Sequence, residues 1–220
     1  MSEMSVRTLS DKSSKTPQFV FLLGRPGSGK THFFEKVASL LPDQPVRRID
    51  DFAKLQSLAL QDDAQEAAGK ERQFTRKSGS NWLATQAAYE TVLREINAEL
   101  RKTPEDGGFV FVEFARWDMV RSIEENFSEG VLDRSFLTYM YCPMSICIQR
   151  NAARSKGTQT TGDTHEVPPD RLSRYREDDH DVLDQLRVPY IVIDNHLDGT
   201  THLDLEAKKI LRALGVVEDR

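Results

Sequence analysis

Cysteine is scarce in this chain, with only Cys142 and Cys147 in 220 residues. Two thiols cannot build a disulfide framework, and without a Cys-x-x-Cys pair they do not begin a four-ligand zinc site, so two reduced thiols are expected. Long apolar runs are also missing: none approaches the roughly 18–20 residues that cross a bilayer. Met1 to Pro17 is polar and rich in Ser, Thr and Lys, with no apolar h-region. It does not read as a secretory signal and is expected to be a disordered tail. A cytoplasmic protein with no membrane partner is the resulting expectation. Excess positive charge is absent too, the formal net charge being −5. A chain that coats nucleic-acid phosphates should be basic, so nucleic acid is disfavoured as a partner unless a local basic groove exists. With 38% hydrophobic and 30% charged residues the composition is that of a globular domain. The length suits one large α/β domain or two small ones.

Apolar runs that are present are short. Phe19-Val-Phe-Leu-Leu23 ends in glycine and reads as a buried parallel strand. Val46–Ile49, Phe109–Val112, Phe136–Tyr141 and Tyr190–Ile193 read as four more. Helical spacing covers Lys30–Leu41, Trp82–Arg101, Met144–Arg154, Pro169–Leu186 and Leu203–Leu214. Strands alternating with helices predict a five-stranded parallel sheet covered on both faces. Two stretches break the alternation. Phe52 to Gly108 is far longer than an ordinary crossover, and Ser155 to Val167 is polar and rich in Gly and Thr. Insertions of this length are often substrate covers or lids, so 53–108 is expected to be a helical substrate cap and 150–176 a lid.

Between the first strand and first helix stands Gly24-Arg25-Pro26-Gly27-Ser28-Gly29-Lys30-Thr31, followed by His32. The pattern G-x-x-x-x-G-K-[ST] in a strand–turn–helix context is a P-loop. Its glycines let backbone N–H groups approach phosphate oxygens, and the helix start adds a positive dipole end. Gly24 through His32 are therefore the expected nucleotide-binding residues. Lys30 is expected to bridge the β- and γ-phosphates, and the Thr31 hydroxyl to ligate Mg²⁺. The Asn-Lys-x-Asp motif of GTPases and the Leu-Ser-Gly-Gly motif of transporter ATPases are both absent.

The second strand ends in Asp50-Asp51-Phe52. In a parallel sheet the C-terminal strand ends face the ligand crevice, where an acceptor hydroxyl needs a proton acceptor. The run from Leu41-Pro42 through Val46 to Asp50-Asp51-Phe52-Ala53-Lys54 resembles the segment that follows the P-loop in nucleoside kinases. That resemblance makes Asp50 the first candidate for the catalytic base, Asp51 the second, and Phe52 a substrate contact. A bland Asp-Asp strand end is the alternative. Glu113, directly after Phe-Val-Phe-Val112, sits where a Walker-B-like carboxylate holds Mg²⁺, or else contacts substrate or acts through another ligand. Arg116 follows in the same crevice and suits an anionic acceptor, unless it makes only a surface ion pair. Arg150 and Arg154 share a helix face and resemble the lid entry of nucleoside monophosphate kinases. The resemblance implies adenine packing for Arg150 and phosphate contact for Arg154. From 150 to 176 six Lys or Arg outnumber three acids, a basic segment within an acidic chain. His165-Glu-Val-Pro168 with Arg171 and Leu172 loosely resembles the lid of gluconate-type kinases. In the resembling kinases the loop after the last strand, here Asp194-Asn195-His196, helps hold adenine. Asp178-Asp179-His180-Asp181 is expected to be a solvated helix face. Arg72, Phe74, Arg76, Lys77 and Trp82 line either an acceptor pocket or a plain helical cap.

The chain thus resembles P-loop kinases of the nucleoside/nucleotide kinase-like superfamily, an α/β, three-layer P-loop NTPase fold. The resemblance implies an ATP- and Mg²⁺-dependent kinase acting on a hydroxyl or phosphate of a small molecule, nucleosides and nucleotides among the candidates. A nucleotide-dependent switch or ATPase module and a polynucleotide 5′-hydroxyl kinase are the alternatives. An open cavity beside Asp50 and Arg116 would favour the kinase, and a filled one the switch.

Overall fold

The computed structural model describes residues 6–7, 17–70, 72, 74–76, 82–155, 167, 169–175, 180–197, 199 and 201–216, with the backbone alone at 6, 7, 75, 76, 82, 83, 154, 155, 169 and 170. In chain order the elements are β1 (Val6–Arg7), β2 (Phe19–Leu23), α1 (Lys30–Ser39), β3 (Val46–Asp50), α2 (Asp51–Glu66), β4 (Phe74–Arg76), β5 (Trp82–Ala84) and α3 (Gln86–Leu100). There follow β6 (Phe109–Glu113), α4 (Met119–Asn126), α5 (Glu129–Leu132), β7 (Ser135–Tyr141) and α6 (Met144–Ser155). The chain closes with α7 (Pro169–Leu172), a 3₁₀ turn (Asp181–Gln185), β8 (Tyr190–Asp194) and α8 (Leu203–Ala213).

Every residue of β2 is buried, which an apolar strand achieves only with both faces covered. Alternation sends Phe19, Phe21 and Leu23 to one face, where Leu55, Val92, Ile96 and Ile123 of α2, α3 and α4 cover them. Val20 and Leu22 point to the other, under Phe33 and Val37 of α1 and Leu203, Ala207, Ile210 and Leu211 of α8. Three layers result. The sheet order is β1-β8-β7-β2-β6-β3. The five strands from β3 to β8 in that order run parallel. β2 lies between β6 and β7, so the chain leaves it in opposite directions for successive strands, and the crevice opens at its C-terminal end.

All five expected strands are present, with ends shifted by a residue. The stretch read as a disordered tail contributes β1, whose Val6 pairs antiparallel with Ile191; the rest of Met1 to Thr16 lies outside the described residues. The helix expected over Trp82–Arg101 starts only at Gln86, capped by Thr85 Oγ1, which accepts from the Ala88 N–H at 3.2 Å. Trp82–Ala84 instead pairs antiparallel with Phe74–Arg76. The continuous helix expected over Pro169–Leu186 is broken into α7 and the 3₁₀ turn. The long insertion opens as a 16-residue helix, α2, because Asp50 Oδ1 caps it by accepting from the Phe52 N–H at 3.0 Å. No helix among the described residues is long and apolar enough to cross a membrane.

Phe21 is the pivot of the aromatic core, edge-on to Phe127 at 4.8 Å and to Phe114 at 6.1 Å between ring centroids. Phe21→Ala is expected to lower unfolding free energy by about 3–5 kcal/mol, the cost of a buried aromatic deletion. Urea unfolding measures this, and a loss below about 1 kcal/mol would mean that the neighbouring rings collapse into the space.

Candidate active site

The P-loop wraps from β2 into α1 with Gly27 at φ 87° and Gly29 at φ 94°. Both angles lie in the left-handed region that disfavours a Cβ. Space imposes the same choice, since a Cβ at Gly27 would stand 2.6 Å from the Cys147 carbonyl oxygen. A Cβ at Gly29 would collide with the Asn195 amide. The loop is bonded on two sides. Arg25, only 1% exposed, donates from Nη1 to the Cys142 carbonyl at 2.6 Å. Asn195 donates from Nδ2 to the Ser28 carbonyl at 2.7 Å, and its Oδ1 lies 2.8 Å from His202 Nε2. Lys30 is buried and donates to the carbonyls of Gly24 at 3.1 Å and Arg25 at 3.0 Å.

Beside the loop, β3 and β6 end in register, Asp50 opposite Glu113. The Thr31 hydroxyl donates to Glu113, 3.3 Å from each carboxylate oxygen. Arg48 Nε stands 3.0 Å from Glu113 Oε2, and the same guanidinium pairs with Asp50. Burial pushes the Glu113 carboxyl above its ordinary range, with Lys30 and Arg48 pulling the other way. Asp51 diverges from its neighbour. Its buried carboxylate meets Arg116 Nη1 at 2.6 Å. Burial raises its pKa as well, against the opposing pull of Arg116. Among the described residues no three His, Cys, Asp or Glu side chains gather as a metal cluster. Thr31 and Glu113 still offer two oxygen donors side by side. A hard cation that keeps waters and phosphate oxygens in its shell asks little more of the protein.

Arg116 is 4% exposed and stacks on the Tyr89 ring at 4.3 Å. It lines a cleft of about 250 Å³ together with Gln86, Trp117, Asp118, Arg121 and Ser122. On the opposite side of the P-loop, Arg150 donates to the carbonyls of Asn195 at 3.0 Å and Leu197 at 2.9 Å. Cys142 and Cys147 are free and buried in that wall.

No protein-family model matches the sequence, and no curated protein matches it in sequence. Solved structures do match in fold. A sugar kinase from a Janibacter species aligns over 91% of this chain and 96% of its own, at TM-score 0.55 and 14% identity. APS kinase from Mycobacterium tuberculosis, solved with AMPPNP and APS, aligns over 91% and 99%, at 0.52 and 15%. Shikimate kinase from Acinetobacter baumannii, solved with shikimate, aligns over 90% and 93%, at 0.50 and 16%. The fold is that of P-loop kinases.

On this P-loop kinase fold the crevice gathers most of the residues singled out from sequence. Gly24 to Thr31, Asp50, Asp51, Glu113 and Arg116 converge at the C-terminal ends of β2, β3 and β6. Phe52 is half-buried and serves α2 through its N–H. His32 is half-buried in the first turn of α1. Arg150 reaches the loop after β8, while the Arg154 side chain and the segment 156–166 lie outside the described residues. So do Lys77, Arg176, Asp178 and Asp179, and the side chains of Arg76 and Trp82. His180 lies against Tyr141 at 5.2 Å, with its Nε2 3.3 Å from Asp181 Oδ1. His196 Nδ1 lies 2.6 Å from Asp194 Oδ1, as a loop residue.

Three contributors carry no sequence signal of this role. Arg48 reads only as part of a strand. Asn195 contacts Ser28 across 167 positions of chain. Asn151 brackets Val167, its Nδ2 donating to the carbonyl at 2.8 Å and its Oδ1 accepting from the N–H at 3.0 Å. Asn195 generates a prediction. Asn195→Asp replaces the donor to Ser28 with an acceptor and sets two oxygens against each other, so the loop loses its brace. Nucleotide affinity by calorimetry is expected to fall about 10-fold or more, as for a buried donor lost and an acceptor left unpaired. Unaltered affinity in a folded variant would show that the loop holds its shape without this contact.

Proposed function

We propose that the protein is an ATP- and Mg²⁺-dependent kinase that transfers a phosphoryl group to a hydroxyl of a small molecule. One observation carries the reading: an open cleft lies beside Arg116, and although Asp50 is not among its lining residues, Arg116 is bonded to Asp51, the neighbour in chain of Asp50. A switch module would need no such space. The P-loop fold supplies the nucleotide side, and the solved kinases that share it support a kinase of some kind without naming the acceptor.

In this reading the P-loop N–H groups and Lys30 would bind the triphosphate, and Thr31 with Glu113 would hold Mg²⁺. The metal supplies charge neutralisation at phosphate oxygens when bound. Arg150, fixed on two carbonyls of the loop after β8, forms the wall for the base. Asp50 stands at the crevice with Oδ1 accepting from the Phe52 N–H, which sets the plane of its carboxylate. It takes the proton of the acceptor hydroxyl as the new oxygen–phosphorus bond forms and the bond from the γ-phosphorus to the departing ADP oxygen breaks. Asp51, committed to Arg116, positions that guanidinium. Catalysis is chiefly placement and charge stabilisation.

Incubating the protein with ATP, Mg²⁺ and a broad metabolite panel tests the reading. Lys30→Ala should abolish acceptor-dependent ADP release while leaving the unfolding midpoint close to wild type. Asp50→Asn should lower kcat about 10²–10⁴-fold, the usual weight of a general base, with little change in ATP affinity. No phosphoryl transfer to any member, with tight ATP binding intact, would count against a kinase. A large kcat loss confined to Asp51→Asn would move the base to that neighbour.

A further inference from the structure

Arg116 is held in an unusual way for a buried cation. Its Nη1 serves Asp51 at 2.6 Å and the Ala115 carbonyl at 2.7 Å. Its Nε and Nη2 are buried and have no hydrogen-bond partner among the described residues. These two nitrogens form one edge of the guanidinium, the fork whose parallel N–H groups match a carboxylate or phosphate bidentately. Leaving two charged donors unmade is costly in the ligand-free protein. The ring faces of Tyr89 at 4.3 Å and Phe114 at 5.7 Å offset part of the cost through cation–π attraction but supply no acceptors to that edge.

The surroundings are biased toward a negative guest. Asp51 and Arg116 together are formally neutral and would not draw an anion alone. Two further cations stand close by on α7 and the turn after it. Arg171 donates from Nη1 to the Tyr89 hydroxyl at 2.7 Å, and Arg174 lies over the Trp117 ring at 5.4 Å. Tyr89 and Trp117 meet edge-on at 6.3 Å, so the two aromatic rings tie three arginines into one wall. The acid that lines the cleft is already engaged: Asp118 caps α4 by accepting from the Arg121 N–H at 3.1 Å.

Resting on the kinase reading above, we infer that the acceptor is a small hydroxylated anion whose carboxylate or phosphate docks on the Nε–Nη2 edge of Arg116. Asp51 then acts as a positioning residue that holds the fork by its other nitrogen and presents it to the guest. Anchoring one end of the acceptor on Arg116 fixes which hydroxyl reaches Asp50, because Asp50 and Asp51 are adjacent on a rigid strand–helix junction.

Two measurements test this. In the first, wild-type protein saturated with AMPPNP and Mg²⁺, so that the P-loop is filled, is titrated with inorganic phosphate and separately with acetate. Trp117 fluorescence is read in a Trp82→Phe background. A saturable change with either probe, weakened about 10-fold or more in Arg116→Lys, which keeps charge and loses the fork, is expected. Response to phosphate or to acetate alone tells which anion the acceptor bears. An unsaturable response overturns the site, as does one unchanged in Arg116→Lys. If that variant does not fold, the wild-type titration still decides, because absence of a saturable change overturns the site by itself. In the second, matched acceptors are compared: glycerol with glycerate and glycerol phosphate, a sugar with its acid and its phosphate, a nucleoside with its 3′-phosphate. Phosphoryl transfer confined to the charged members, with Asp51→Asn raising acceptor KM more than it lowers kcat, is expected. Equal transfer to neutral members overturns the anion requirement while leaving the kinase intact. A saturable phosphate site with no transfer to any member sinks the kinase reading and leaves the anion site standing. Preferential use of a 5′-hydroxyl oligonucleotide with steeply salt-dependent binding overturns the small-molecule acceptor.

Discussion

Pairing of β2 with β6 on one side and β7 on the other aims every group at the site. Phe19 sits opposite Val110 and Ser135, and two positions later Phe21 sits opposite Val112 and Leu137. This register brings β2 to its end beside Glu113 and Tyr139, so the loop that follows must turn in a space walled by both neighbours. Glycine is the only residue that fits Gly27 and Gly29 there, and the loop that results is bonded at both flanks, by Arg25 to the end of β7 and by Asn195 to the loop after β8. Preorganised donors cost no rearrangement when charge arrives. The rigidity of the loop is thus a property of the sheet order, expressed through side chains far away in sequence.

The two aspartates after β3 show how one residue of register changes chemistry. Asp50 is the last strand residue and also the cap of α2, so its carboxylate stays at the rim, 31% exposed, with Arg48 beside it. Asp51 is the first helical residue, and its side chain turns inward to Arg116, 10% exposed. Solvation therefore separates two chemically identical groups. The rim carboxylate keeps water and can exchange partners. Its buried neighbour would leave an uncompensated cation behind if it let Arg116 go, which is costlier than the pair itself is stabilising.

Much of this architecture is legible because its signals are local. Runs such as Phe109–Val112 are continuously apolar, and the P-loop is a contiguous eight-residue pattern between a strand and a helix. Legibility ends where the determinant is short or remote. Trp82–Ala84 and Phe74–Arg76 are three residues each, too few for alternation to show, and so helical spacing extends back over Trp82. Pro169–Leu186 has helical spacing, but residues 173–175 turn away from α7, and Arg187-Val-Pro189 only marks the far end. The pair Asn195–Ser28 depends on two loops meeting in space, and no spacing rule reaches that far. Arg116 is half legible: its position after β6 suggests an anion, whereas its committed Nη1, and an Nε–Nη2 edge with no hydrogen-bond partner among the described residues, exist only in three dimensions.

The cations of the crevice divide by what they rest on, and the division says which of them a ligand can recruit. Lys30 donates to the carbonyls of Gly24 and Arg25, and Arg150 to those of Asn195 and Leu197. A carbonyl offers these cations only a dipole, whereas a phosphate oxygen offers a full opposite charge, so the phosphate outcompetes the carbonyl for either side chain. Arg48 rests instead on two carboxylates, Asp50 and Glu113, and Arg116 Nη1 on Asp51. A phosphate offers these no gain over what they already hold and would leave a buried carboxylate unpaired. In a chain of net charge −5, carboxylates near a phosphate site are a liability unless each is matched. Arg48 and the committed side of Arg116 supply that matching for Asp50, Glu113 and Asp51.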